Sequence, residues 1–133
     1  MKKLKVLLPI FILLVVCSAA TTKKGSSKPV YAFGVSASFT DTVVYYTDIQ
    51  VLDSVTLEKK SFLPDRNTYS YQLKNYLEYQ RGLSDRTCMI YFSENKKKLT
   101  KELNKIVNRY KKDKSVSLQL INDGEFKFTK PKQ

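Results

Sequence analysis

Residues Arg86 to Ser93 read Arg-Thr-Cys-Met-Ile-Tyr-Phe-Ser, a run that is apolar on both faces of a strand. Side chains alternate along a strand, so Cys88, Ile90 and Phe92 lie on one side and Met89 and Tyr91 on the other. Such a segment needs cover on both faces, and strands of that kind are ordinarily central in a sheet. The flanking patterns supply the cover. Before the run, Tyr69, Leu73, Tyr76 and Leu77 recur at helical spacing, with Asp65 or Asn67 placed to cap the start and Gly82 to end the helix. That spacing predicts a helix of about fifteen residues. After the run, Leu99, Leu103, Ile106, Val107 and Tyr110 fall within about 100° of one another on a helical wheel. Ser93 is placed to cap this second helix, with Glu94 in its first turn.

Alternation elsewhere supplies the rest of the sheet. Tyr31, Phe33, Val35, Ala37 and Phe39 alternate with Ala32, Gly34, Ser36 and Ser38, which makes a strand with one strongly apolar face. Thr40-Asp41-Thr42 suits a tight turn, and Val43 to Leu52 alternate through Tyr45, Thr47, Ile49 and Val51, so the pair reads as a β-hairpin. Asp53 to Asp65 is a polar connection. Val116, Leu118 and Leu120 alternate with Ser117, Gln119 and Ile121 as a further strand. Beyond the Asn122-Asp123-Gly124 turn, Phe126 and Phe128 suggest a last short one. The expected fold is α+β, a two-layer α/β sandwich in the order β-β-α-β-α-β-β, with a mixed sheet and both helices on one face. The domain is expected over residues 30–129, with 130–133 a polar tail.

The first twenty residues carry an address. Met1-Lys2-Lys3-Leu4-Lys5, an apolar run from Val6 to Val16 and the exit Cys17-Ser18-Ala19-Ala20 are the three zones of a bacterial secretory signal. The apolar run is short for a membrane span and contains Pro9, so cleavage after Ala20 is expected, with no spanning helix in the mature chain. Leu14-Val15-Val16-Cys17 also resembles a lipoprotein signal, although Val16 stands where a small residue is usual. On that alternative Cys17 is lipidated and tethers the protein to a membrane face. Residues 21–29 read as a flexible basic leader. A chain beginning at Thr21 holds 21 basic and 12 acidic side chains, a net +9, and keeps one thiol, Cys88. The expected location is periplasmic or extracellular. Cys88 sits within an apolar run and is expected to be buried rather than bridged to a second chain.

The 133 residues include no His, which excludes Ser-His and Cys-His catalytic pairs and His-ligated zinc. Paired acids at a suggestive spacing, a Gly-rich phosphate loop and a CxxC motif are all missing, so neither cofactor nor metal is expected. Charge is the distinctive feature. Residues 29–93 carry a net −1, whereas Glu94 to Lys114 hold nine basic and three acidic side chains. The candidate binding residues are Lys97, Lys98, Lys101, Lys105, Arg109 and Lys112, on the far side of the second helix. Such a face attracts anionic lipid headgroups, lipopolysaccharide phosphates, nucleic acid or an acidic protein, or simply keeps an exported protein in solution. Lysines outnumber arginines 20 to 4, which weakens the case for bidentate phosphate recognition. Export and the lack of a reading motif argue against nucleic acid. The expected role is that of an exported, non-catalytic envelope or secreted protein whose Lys-rich helix meets an anionic envelope surface or an acidic protein. One alternative is a small periplasmic enzyme or ligand-binding domain built on Tyr71, Tyr79 or Asp48. The other is an extracytoplasmic nucleic-acid binder.

The signal and Lys-rich leader, the segment Val30-Tyr31-Ala32-Phe33-Gly34-Val35-Ser36-Ala37-Ser38-Phe39, then Asn67-Thr68-Tyr69-Ser70-Tyr71-Gln72-Leu73 and Arg86-Thr87-Cys88 together resemble small uncharacterised exported proteins of Bacteroidota-type bacteria. The resemblance covers nearly the whole chain; it implies export and brings no assigned activity. Asp41-Thr42-Val43 and Asp53-Ser54-Val55 are similar to the Asp-Ser/Thr-aliphatic sequon for O-glycosylation of exported proteins in that group. On that resemblance Thr42 and Ser54 are attachment candidates, while both triplets are also ordinary turn chemistry.

Overall fold

The computed structural model describes residues 28–132. The expected signal, with Cys17 and Ala20, and most of the basic leader lie outside the described residues. In chain order the elements are β1 (Val30–Ser38), β2 (Val43–Thr47), β3 (Gln50–Leu52), α1 (Arg66–Asn75, prolonged by a π-helical turn over Tyr76–Gln80), β4 (Arg86–Ser93), α2 (Lys96–Lys112) and β5 (Ser117–Ile121). The fold is α+β, with a mixed sheet of five strands and two helices, in an order that roughly matches the one the sequence patterns indicate.

Strand β1 organises the sheet. β4 lies antiparallel along one of its edges, from Tyr31 opposite Ser93 to Ser38 opposite Arg86. The other edge is shared by β2 and β3, both antiparallel to β1, and β5 is parallel to β2. Across the sheet the sequence of strands is therefore β4, β1, β2 with β3, and β5. This corrects the expectation that the doubly apolar run is the central strand. β4 is an edge strand, and among the described residues it pairs with β1 alone. Its faces are covered unequally: Ile90 is buried on the α1 side, whereas Thr87 and Met89 on the α2 side are exposed, so the doubly apolar pattern reports neither a neighbour on each side nor full cover.

The placement of the helices is corrected as well. Val30 and Ala32 of β1 pack with Tyr69, Leu73 and Leu77 of the first helix and Ile90 of β4. Phe33 and Val35, which point the other way, pack with Leu99 and Ile106 of α2. The two helices thus cover opposite faces, and the sheet is the middle of three layers. β1 is buried on both sides because its nominally polar face consists of Ala32, Gly34 and Ser36. Those residues are small enough to let α1 approach. A Cβ on Gly34 would stand 2.6 Å from Leu73 Cδ2 and 3.3 Å from Phe128 Cζ.

β2 and β3 are the single strand expected over Val43 to Leu52, interrupted by a bulge. Val35 is opposite Tyr46, whereas Ala32 is opposite Gln50, so two residues of β1 face three residues, Thr47 to Ile49. The extra residue reverses the alternation. Tyr45 joins the core on the α1 side, while Ile49 packs on the α2 side instead of sharing a face with Tyr45 and Thr47. The Thr47 hydroxyl replaces a ladder partner, accepting from Gly34 N at 2.9 Å and donating to Asp48 O at 3.0 Å.

The last strand expected at Phe126 and Phe128 is not a strand. The Gln50 side chain, 5% exposed, donates to Phe126 O at 2.9 Å and accepts from Phe128 N at 2.8 Å. Gln72 of α1 holds Thr129 in the same way, donating to its carbonyl at 2.7 Å and accepting from its N–H at 3.0 Å. Two side-chain amides do the work of a neighbouring strand. They seat Phe126 against Tyr76 and Phe128 against Tyr69, with ring centroids 5.2 and 6.1 Å apart.

Candidate functional site

The helix that carries the basic residues forms because Leu99, Leu103, Ile106, Val107 and Tyr110 make one apolar stripe, with Leu99 and Ile106 buried against the sheet. Its start differs from the expected one. Asn95, not Ser93, is the N-cap and accepts from Lys98 N at 3.2 Å, while the Ser93 hydroxyl accepts from Asn95 N at 3.0 Å. Glu94 therefore precedes the cap. The first turn is Lys96-Lys97-Lys98, with no acidic residue in it.

Lys97, Lys98, Lys101, Lys105, Arg109 and Lys112 are all exposed and fall within an arc of about 120°. At a rise of 1.5 Å per residue the stripe from Lys97 to Lys112 is about 22 Å long. Its neighbouring cations are closer than the Debye length of about 8 Å at physiological salt, so their fields add. Among the described residues the ion pairs are Arg81–Glu125 and Arg86–Asp41, and none of these six cations is in either. Lys97, Lys101, Lys105 and Arg109 succeed one another at i, i+4, a spacing at which each like-charged pair costs roughly 0.2–0.5 kcal/mol. Cations in a first turn also oppose the helix dipole.

Two grooves flank α2, one at the end of the sheet where β1 meets β4 and one beside Tyr91 of β4. The larger, about 780 Å³, is lined by Lys28, Tyr31, Phe92 and Ser93 and by Lys96, Lys97 and Lys98 among others. The second, about 400 Å³, lies between Tyr91 and Lys101, Lys105, Ile106 and Arg109. Glu102 lines both. The walls follow from the packing: Phe33 and Tyr91 stack with centroids 4.9 Å apart, and the Lys96 ammonium lies 5.8 Å from the Tyr31 ring centroid. Lys28 and Lys96 belong to this surface and were not among the residues singled out from the sequence. The signal for Lys96 was the cap position, which decides where the first turn begins.

The residues of the alternative reading are not gathered. Tyr71 lines a shallow groove on α1 with Asn67, Thr68, Gln72 and Asn75, and neither Tyr79 nor Asp48 shares it. Tyr71 and Tyr79 are exposed, as their place off the apolar stripe implies, and Tyr69 is buried. Asp48 is half-buried at the bulge, where its N–H donates to Ile121 O at 3.4 Å. Thr42 and Ser54 are exposed in turns, and Ser54 has a positive φ of 51°. Among the described residues no three of His, Cys, Asp and Glu cluster as metal ligands.

One charged group is buried. Arg86, 3% exposed, donates from Nε to Ser36 Oγ at 2.9 Å, from Nη1 to both Asp41 oxygens at 2.9 and 3.2 Å, and from Nη2 to the carbonyls of Ser36 and Val43. Its guanidinium also lies 4.8 Å from the Tyr45 ring centroid, and Arg81 lies 5.4 Å from the same ring. The Val43 N–H, and then Arg86, hold the Asp41 carboxyl below its usual range. Every donor direction of Arg86 is used on the chain itself, so this group ties the β1–β2 turn to β4 and presents nothing to a ligand. Beside it, burial pushes the half-buried Cys88 thiol up, against the pull of Ser36 and Arg86.

Among the described residues no helix is long and apolar enough to cross a membrane. Comparison of the chain with family models, with curated proteins and with solved structures finds no match.

Proposed function

We propose that this chain is an exported, non-catalytic envelope or secreted protein that binds an anionic surface or an acidic protein partner through α2. The observation that carries the reading is the arrangement of charge on that helix. Three lysines in the first turn and a ladder of cations at i, i+4 are each unfavourable to the isolated fold; Glu102 is the one acid within α2 to offset them, and among the described residues none of these cations is in an ion pair. Between Lys96 and Lys114 nine cations meet that single acid within α2, with Glu94 and Asp113 at the helix ends, so the reading rests on the exposed arc itself, for which an outside partner is the natural compensation. The side of α2 that faces the sheet supplies the core, so this helix acts from a rigid scaffold rather than as a free membrane-active peptide. Export rests on the three zones of residues 1–20.

The test is charge reversal of Lys101, Lys105 and Lys112 to Glu, with folding followed by circular dichroism. Binding to anionic vesicles and to polyglutamate is measured over a salt series. The native protein is expected to bind and to weaken steeply with salt, and the folded variant to lose binding. Equal binding by a folded variant, or none by the native protein at low salt, refutes the reading. The intact mass of the protein from an envelope fraction tests export: Thr21 to Gln133 for a soluble form, or Cys17 to Gln133 plus acyl chains for a tethered one. Sugar-sized excess mass would direct attention to Thr42 and Ser54.

A further inference from the structure

We infer that the open edge of β4 accepts an extended acidic peptide of a partner protein, which adds a strand to the sheet while α2 reads its acids. This inference rests on the basic-face reading above and names the kind of partner. β4 is an eight-residue strand whose outer N–H and C=O groups have no pairing strand among the described residues. It contains neither Pro nor Lys, Asp or Glu, and its one protective device is the inward-turned Arg86 at the start of the strand, which leaves Thr87 to Ser93 without one. On the α2 face, Thr87 and Met89 are exposed, Met89 at 46%. The second basic groove adjoins β4 at Tyr91, and the larger begins where β4 ends. Phe92 and Ser93 line the larger groove with Lys96 to Lys98 at the end of β4, and Tyr91 lines the second with Lys101, Lys105 and Arg109, so α2 runs back from the end of β4 past Tyr91.

The spacings match. Alternate residues of a strand stand on one face about 6.6–6.8 Å apart, and residues four apart on a helix are about 6 Å apart along its axis. A peptide with acids at every second position would therefore place one carboxylate near each of Lys101, Lys105 and Arg109. Main-chain hydrogen bonds to β4 would supply affinity, and the alternating charge would supply register. Glu102, where the two grooves meet, disfavours an acid at that one point. Charge also decides against a second copy as occupant, because β4 and α2 of another molecule would bring the same cations together rather than opposite ones.

The full mature chain is titrated with three fluorescent eight-residue peptides by anisotropy: Glu alternating with Thr or Val, the same composition with the Glu residues contiguous, and the alternating peptide N-methylated at every second residue. Methylation on one register removes the donors of one strand edge and leaves charge intact; both registers are made. The alternating peptide is expected to bind about tenfold tighter than the contiguous one and than the weaker N-methylated register. Amides of β4 should gain hydrogen-exchange protection, and Lys101, Lys105 and Arg109 changed to Gln should abolish the preference. Equal binding by all peptides, with vesicle and polyglutamate binding intact, overturns strand addition and leaves the basic-face reading standing. Binding of no peptide, vesicle or polyglutamate overturns both. Protection of β4 without peptide, together with a dimer in sedimentation, overturns the inference in favour of a second copy.

Discussion

Replacing Gln50 with Ala removes the buried amide that holds the C-terminal segment, and Gln72→Ala removes its exposed counterpart. The two side chains make the same pair of hydrogen bonds to backbone, over 2.8–2.9 Å for Gln50 and 2.7–3.0 Å for Gln72. Only their surroundings differ. Around Gln50 the carbonyl of Phe126 and the N–H of Phe128 are left in a buried site, and each unsatisfied group costs about 1–3 kcal/mol. The chain can escape that cost by peeling residues 126–129 into water. It then forfeits the burial of Phe126 and Phe128, worth roughly 1.5–3 kcal/mol each. The two routes cost similar amounts, so Gln50→Ala should destabilise the protein by about 3 kcal/mol. For a domain of about 100 residues that lowers Tm by about 12 °C or more. Water can replace Gln72 at the exposed Thr129 groups, which limits Gln72→Ala to about 1 kcal/mol. Urea unfolding followed by circular dichroism gives both values, and hydrogen exchange at the Phe128 amide reports local release. If Gln72→Ala costs as much as Gln50→Ala, burial is not what makes these bonds matter and the reasoning fails.

Three further outcomes are expected. Gly34→Ala should destabilise by about 1–2 kcal/mol despite the usual benefit of Ala over Gly in the unfolded chain, because its Cβ meets the fully buried Leu73. Combining it with Leu73→Ala should cost less than the sum of the two single changes, and strict additivity in the double-mutant cycle would contradict the close approach. The carboxyl of Asp41 is held below its ordinary value of 3.8, so its stabilising contribution is present above that pH and is lost as pH falls through the lower folded value. Asp41→Asn should accordingly be less stable than the native protein at pH 6, with the gap closing on acidification; Asp113 is common to both proteins and cancels. A gap independent of pH in denaturant melts would rule out a charge effect. Finally, burial raises the Cys88 thiol, so iodoacetamide at pH 8 should modify it at least about tenfold more slowly in the folded protein than in urea. Equal rates would show that the thiol is open.

Much of this architecture is legible along the chain. The two helices, the alternation of β1 and the doubly apolar pattern of β4 are local signals, since a period of 2 or 3.6 is set by backbone geometry and side-chain polarity at neighbouring positions. The basic arc of α2 is legible for the same reason: its six cations and its buried stripe are both read from one helical period. What periodicity cannot state is which element lies beside which. The doubly apolar pattern of β4 reads as a central strand, yet the fold sets it at an edge with Ile90 buried on one face and Met89 exposed on the other. The small residues Ala32, Gly34 and Ser36 look like a weak polar face until Leu73 is placed on them. A bulge at Thr47 to Ile49 costs the sequence no visible mark, yet it turns Ile49 and Val51 to the other side. Arg86 is one charge among many until the fold brings Ser36, Asp41 and Val43 around it from residues more than forty positions away. The sequence by itself determined the two helices, the alternation of β1 and the basic arc of α2. Tertiary structure alone decided the edge position of β4 and the grooves beside it, because both depend on contacts between segments distant in the chain.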